Sequence, residues 1–78
     1  MRIDKFLKIS KVIKRRTIAN EAADSGRISV NGKVVKASYE VKIGDMVEIK
    51  FGNKVSKFQI LNIPMVIKRD MPEIIKIL

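Results

Sequence analysis

At Gly26 the spacing of apolar residues changes period, and that change divides the chain. Before it, Ile3, Phe6, Leu7 and Ile13, and then Ile18, Ala19, Ala22 and Ala23, recur at the three- and four-residue steps of a helix face. After it, Arg27-Ile28-Ser29-Val30 alternates polar and apolar, the pattern of a strand with one buried side. Two helices followed by a small antiparallel sheet make an α+β arrangement. The helices must cover one sheet face, because no other element can bury Ile28, Val47, Ile49 and Phe58.

The first helix is expected over about Ile3–Ile9, with a further turn reaching toward Ile13; Asp4 can pair with Lys8 four residues on, and is expected to cap or to salt-bridge Arg and Lys locally. Thr17 suits an N-cap of the second helix, and Gly26 suits the left-handed position that ends it. Its alanines allow close approach to a neighbour. Asn31-Gly32 is a strong two-residue hairpin signal, with Lys33–Lys36 returning. Ala37–Val41 is a connector and Gly44-Asp45 a turn. Met46–Phe51 reads as a strand with Val47, Ile49 and Phe51 on one face. Gly52-Asn53 turns the chain into a strand over Val55–Ile63, ended by Pro64. Beyond it, Asp70 before Met71-Pro72-Glu73 suits a helix cap, opening a short C-terminal helix through Ile74, Ile75 and Leu78. Alternatively, Met65–Leu78 supplies another edge strand.

Charge follows the same division. Met1–Lys36 holds ten basic residues (Arg2, Lys5, Lys8, Lys11, Lys14, Arg15, Arg16, Arg27, Lys33, Lys36) against Asp4, Glu21 and Asp24, a net of +7 out of +9. Concentrated positive charge costs self-repulsion, and its usual ligand is a polyanion whose phosphates it neutralises. Lys14-Arg15-Arg16 immediately precede the second helix, whose first-turn N–H groups also favour an anion. Arg27 and Lys36 fall at the open end of the hairpin and Lys33 at its tip. Substituting Arg15 and Arg16 should therefore weaken polyanion binding and leave thermal stability almost unchanged.

Other chemistry is largely excluded by composition. The chain has 78 residues, one small domain with no room for a separate catalytic unit. It contains no cysteine and no histidine, which removes disulfides, zinc-finger sites, thiol nucleophiles and imidazole catalysis. No metal or cofactor is expected. Neither a signal peptide nor a membrane span is legible, so a cytoplasmic protein without membrane association is expected. Its aromatic residues are Phe6, Phe51, Phe58 and Tyr39; the three phenylalanines sit in apolar periodicities, so no base-stacking platform is expected. A DNA-reading second helix would expose Glu21 and Asp24, which opposes entry to the major groove and makes duplex DNA a poor partner.

The ordered set Arg2-Ile3-Asp4-Lys5-Phe6-Leu7, Ser10-Lys11, Arg16-Thr17-Ile18-Ala19, Gly26-Arg27-Ile28-Ser29-Val30-Asn31-Gly32-Lys33 and Gly44-Asp45-Met46-Val47 resembles the S-four RNA-binding domain, also called the alpha-L motif. The resemblance covers about Met1–Phe51. Within that family, the Lys5-Phe6-Leu7-Lys8 and Ile13-Lys14-Arg15-Arg16-Thr17 blocks and Val41–Gly52 are similar to the stand-alone RqcP (YabO) group of bacterial ribosome-quality-control factors. Similarity to the fifteen-kilodalton heat-shock ribosome-binding protein is more distant. Val55–Leu78 departs from the family pattern.

This resemblance implies an RNA-binding domain over residues 1–63, with residues 64–78 an extension packed on it. It implies a non-enzymatic monomer that binds large-subunit ribosomal RNA and peptidyl-tRNA on stalled ribosomes. The RNA-binding residues would be the ten bases named above together with Thr17. The alternative is a structured-RNA or tRNA-binding module of another role. Relatives that carry this domain on RNA-modifying enzymes add a separate catalytic domain, for which nothing is left over here.

Overall fold

Ile3, Phe6 and Leu7 are fully buried, and they set helix α1 (Ile3–Ile9) against the sheet: the Phe6 ring stacks on Phe58 with centroids 6.4 Å apart. The computed structural model describes residues 1–64 and 73–78. Helix α1 stops sooner than Ile13, because Ser10 caps it and Lys11 adopts a left-handed φ of 63°. Ile13 is still buried, its amide returning to the Leu7 carbonyl at 3.1 Å. Helix α2 (Arg16–Asp24) packs on α1 and buries Ala19, Ala22 and Ala23. Its end follows from Gly26, whose φ is +81°. The Gly26 and Arg27 amides donate to the Ala23 and Ala22 carbonyls, each at 3.0 Å, satisfying the last turn in the paired pattern that a left-handed glycine allows.

Five strands follow: β1 (Ile28–Val30), β2 (Lys33–Val34), β3 (Met46–Phe51), β4 (Lys54–Ile60) and β5 (Ile75–Ile77). They form one antiparallel sheet in the order β2-β1-β3-β4-β5. Asn31 and Gly32 both have positive φ, 51° and 84°, so the β1–β2 turn has the twist that two-residue hairpins favour. The register sets Ile28 opposite Ile49 and Val47 opposite Phe58, aligning the buried side chains on the helix-covered face. Phe51 shares that face but is only half-buried.

Two expectations for the C-terminal part are corrected. Strand β4 ends at Ile60 rather than Ile63: the Leu61 and Asn62 amides both turn to the Ile74 carbonyl, so the chain bends away before Pro64. The C-terminal helix through Ile74, Ile75 and Leu78 is not formed. Ile75–Ile77 is instead an edge strand, with Ile75 opposite Ile60 and Ile77 opposite Phe58. The outer edge of β4 presents backbone groups that need partners, and three extended residues supply them better than a short exposed helix would. The expected cap at Asp70-Met71-Pro72 lies outside the described residues.

Candidate nucleic-acid interface

Within the basic N-terminal half the structure buries an acid. Asp4, in the first turn of α1, is 1% exposed, and its carboxylate is where the two helices meet. Its Oδ2 forms ion pairs with Arg2 Nη2 at 3.2 Å and Arg16 Nε at 3.4 Å and accepts from Asn20 Nδ2 at 3.3 Å, while Oδ1 accepts from the Lys5 amide at 2.8 Å. Burial pushes the Asp4 carboxyl up. The hydrogen bonds from Asn20, Arg16 and the Lys5 amide, with the Arg16 charge, outweigh that effect and hold its pKa below the ordinary 3.8. The expected pairing with Lys8 is therefore replaced by pairs to two arginines. Asp4 faces α2, which brings its own donors, whereas an exposed lysine one turn on would leave the buried carboxylate short of partners.

Arg16 and Asn20 are one turn apart on α2, which sets both beside the same oxygen. The start of that helix is a second correction. Thr17 is not the N-cap: Arg15 holds that position with φ −120° and ψ 129°, its carbonyl accepting from the Ala19 amide at 3.2 Å. Thr17 lies exposed inside the first turn, and no side chain caps α2. It also revises the expectation that Arg16 is dispensable for stability, since its guanidinium helps to satisfy a buried carboxylate.

On α1 and the turn that follows it, Lys5, Lys8, Lys14 and Arg15 are exposed, and Lys11 is exposed at the left-handed step that ends α1. The side chains of Arg2 and Arg16 are each 46% exposed, so both reach solvent while bound to Asp4. The connector after β2 adds a further cation. Ala37 and Tyr39 carbonyls accept from the Asp4 and Ile3 amides at 3.4 and 2.7 Å, which carries exposed Lys36 to the N-terminus of α1. Arg27 lies at the open end of the hairpin, as expected. Its carbonyl accepts from the Lys50 amide at 2.9 Å, which brings in a base that the charge argument had left out.

Lys33 is set apart from that junction, at the hairpin tip. A second buried acid fixes the tip. Asp45, 7% exposed, accepts from the Lys42 amide at 2.9 Å, the Tyr39 hydroxyl at 3.2 Å and Asn31 Nδ2 at 3.2 Å. Asn31 Oδ1 in turn accepts from the Met46 amide at 3.0 Å. Asp45 does complete the turn after Lys42, and it also ties the hairpin to β3. The local pairing of Asp4 with an arginine, Arg2, is as expected; its reach to Arg16 and Asn20 on α2 escaped sequence reasoning. The tight alanine face announced a close helix pair, but nothing in the spacing says which polar groups meet across it.

Similarity to known proteins covers these same elements. The S4 domain family model matches residues 1–47. Over 70 residues the chain is 50% identical to the RQC P-site tRNA stabilizing factor of Streptococcus pneumoniae, spanning 90% of this chain and 80% of that protein. The Bacillus subtilis protein of the same name is also 50% identical over 70 residues, 90% of this chain and 81% of its own length. The solved structure of trimeric Heat Shock Protein 15 from Vibrio cholerae shares the fold, with a TM-score of 0.86 at 22% identity over 100% of this chain and 81% of that one. The helix pair joined at Asp4, the Asn31-Gly32 hairpin and the Gly44-Asp45 turn all lie within the matched residues, and the chain belongs to the S4 domain family, together with the RQC P-site tRNA stabilizing factors to which it is similar.

Proposed function

We propose that this protein is a non-enzymatic RNA-binding factor that acts on the large ribosomal subunit in quality control of stalled chains. On this reading it contacts ribosomal RNA and the tRNA in the P site. The observation that carries the reading is the α1–α2 junction, where two half-exposed arginines are held on one buried carboxylate, in a helix pair whose lysines are exposed. The names and 50% identity of the relatives support the ribosomal assignment. Structured RNA is read largely through its shape, phosphates and 2′-hydroxyls, which suits a basic surface of exposed lysines and arginines. Phe6 and Phe58 are buried against each other, so neither can stack on a base. Asp4 and Asp45 are both committed to structural hydrogen bonds, which supports a non-catalytic role.

In this reading Arg2, Lys5, Lys8, Lys11, Lys14, Arg15, Arg16 and Thr17 meet one RNA. Arg27 and Lys36 extend that surface, and Lys33 at the hairpin tip is available to the second. Residues 1–63 form the RNA-binding unit and residues 64–78 its extension; the protein works as a cytoplasmic monomer. A domain this small buries limited RNA area, so each contact is of moderate strength, and two simultaneous contacts raise the effective concentration of the second.

Sucrose-gradient fractionation tests the assignment. The protein should travel with free large subunits carrying tRNA. Migration only in the ribosome-free fraction would overturn the ribosomal role and leave a structured-RNA module of another kind. In binding assays the logarithm of affinity should fall with the logarithm of salt at a slope of roughly −4 to −7, with duplex DNA and anionic vesicles competing weakly. A slope near −1 would point to a protein–protein interface instead.

A further inference from the structure

Asp4 places a negative charge inside a surface built for a polyanion, and by Coulomb's law alone it should weaken binding. The geometry gives it a different effect. Arg16 pairs with the carboxylate at its Nε edge, which leaves its terminal nitrogens turned to other partners; Arg2 pairs through Nη2 alone and keeps the rest of its fork. Both side chains remain 46% exposed, so each guanidinium is anchored at one edge and open at another. Backbone bonds hold the flanks: the Ile3 amide donates to the Tyr39 carbonyl at 2.7 Å and the Val41 amide to the Met1 carbonyl at 3.0 Å. Asn20 adds a neutral donor to the shared oxygen and fixes the carboxylate without competing for phosphate.

A free arginine loses much rotamer freedom when it engages a phosphate, and a side chain already held in place loses less. We propose that Asp4 is a positioning residue for RNA binding, orienting the Arg2 and Arg16 guanidiniums as a paired fork for adjacent phosphate groups. This rests on the RNA-binding reading above. It goes beyond that reading in assigning to an acid, with Asn20 as its support, a contribution to affinity that charge counting gives the opposite sign.

The test is Asp4→Asn, which keeps the side-chain shape and the Oδ1 acceptor for the Lys5 amide while raising the formal net charge above +9. Binding is measured to isolated large ribosomal subunits and to purified tRNA, with amide spectra confirming the fold. Asp4→Asn should weaken binding about five- to tenfold despite the added positive charge, the size of effect expected for a disturbed arginine–phosphate contact. In an Arg16→Ala background the same change should cost much less, because two residues acting through one contact are not additive. Equal or tighter binding by folded Asp4→Asn overturns the proposal, as does full additivity with both Arg16→Ala and Arg2→Ala.

A readout without RNA keeps the proposal testable on its own. In the free parent protein the Arg2 and Arg16 side-chain Nε–H groups should be nearly as ordered as the backbone, and Asn20→Ala should loosen them. Mobile Nε–H groups in the parent overturn the positioning role even if RNA binds. Ordered ones, in a protein that binds neither subunits nor tRNA, would overturn the RNA-binding reading, and the proposed affinity contribution with it.

Discussion

The two buried acids hold different kinds of structure together. Asp4 joins α1 to α2 through the Arg16 guanidinium and the Asn20 amide, and on its own helix holds Arg2 and the Lys5 backbone amide. Asp45 joins the hairpin to β3 through neutral donors, from Asn31, Tyr39 and the Lys42 backbone. Only the first network contains groups that remain half-exposed and charged. The same residue type therefore fixes a turn in one region and organises a charged surface in the other, and the partners decide which.

The largest expected effect separates stability from binding. Asp45→Ala removes the acceptor from three donors and should destabilise the fold by about 2–3 kcal/mol. The thermal midpoint should then fall by roughly 10–20 °C. Affinity for the RNA held by the α1–α2 junction, measured well below that midpoint, should stay within about twofold of the parent's, because among the described residues Asp45 pairs with no arginine. A parallel loss of affinity would show that the two regions act as one unit.

Arg16→Ala should do both things at once. Loss of a directly bonded arginine costs about 1–3 kcal/mol of RNA affinity. Leaving Asp4 with one donor fewer should also cost about 1–2 kcal/mol of stability. Denaturant titration beside an RNA-binding curve checks both. Arg15→Ala, at an exposed position, should reduce affinity with little change in stability.

Asp4 and Tyr39 should also respond at opposite ends of the pH scale. The Asp4 carboxyl is held below its ordinary value in the folded state, so its contribution is present above about pH 4 and is lost as pH falls through the depressed folded value. Asp4→Asn should flatten that acid arm of the stability profile. Tyr39 is raised above its ordinary value of 10.0 by burial, together with the hydrogen bond and negative charge of Asp45. Its contribution is present below about pH 10 and is lost as pH rises through the folded value. Tyr39→Phe should remove the alkaline response and cost only about 0.5–1.5 kcal/mol at neutral pH, the smallest of these effects. A Tyr39→Phe variant with an unchanged alkaline arm would sever Tyr39 from the Asp45 network.

Much of this architecture is legible in one dimension because it depends on local spacing. The period change at Gly26, the left-handed glycine there and the Asn31-Gly32 turn each act over four residues or fewer. Helix α1, the hairpin and β3 accordingly lie where the pattern places them. Charge, too, is additive along a chain, so the basic half was evident before any fold. Local pattern left two readings open for Ile74–Leu78. What settled them was the outer edge of β4, a partner distant in sequence whose backbone groups Ile75–Ile77 complete.

Tertiary structure alone decided what the charges do. Asp4 and Lys8 have helical spacing, yet Asp4 is buried toward α2, where Arg16 and Asn20, 12 and 16 residues on, reach one oxygen beside Arg2. That meeting makes Arg16 structural as well as exposed. Sequence determines which charges a chain carries and the local turns that aim them. A buried carboxylate must find donors wherever the packed helices bring them, and that depends on distances that exist only once the chain has folded.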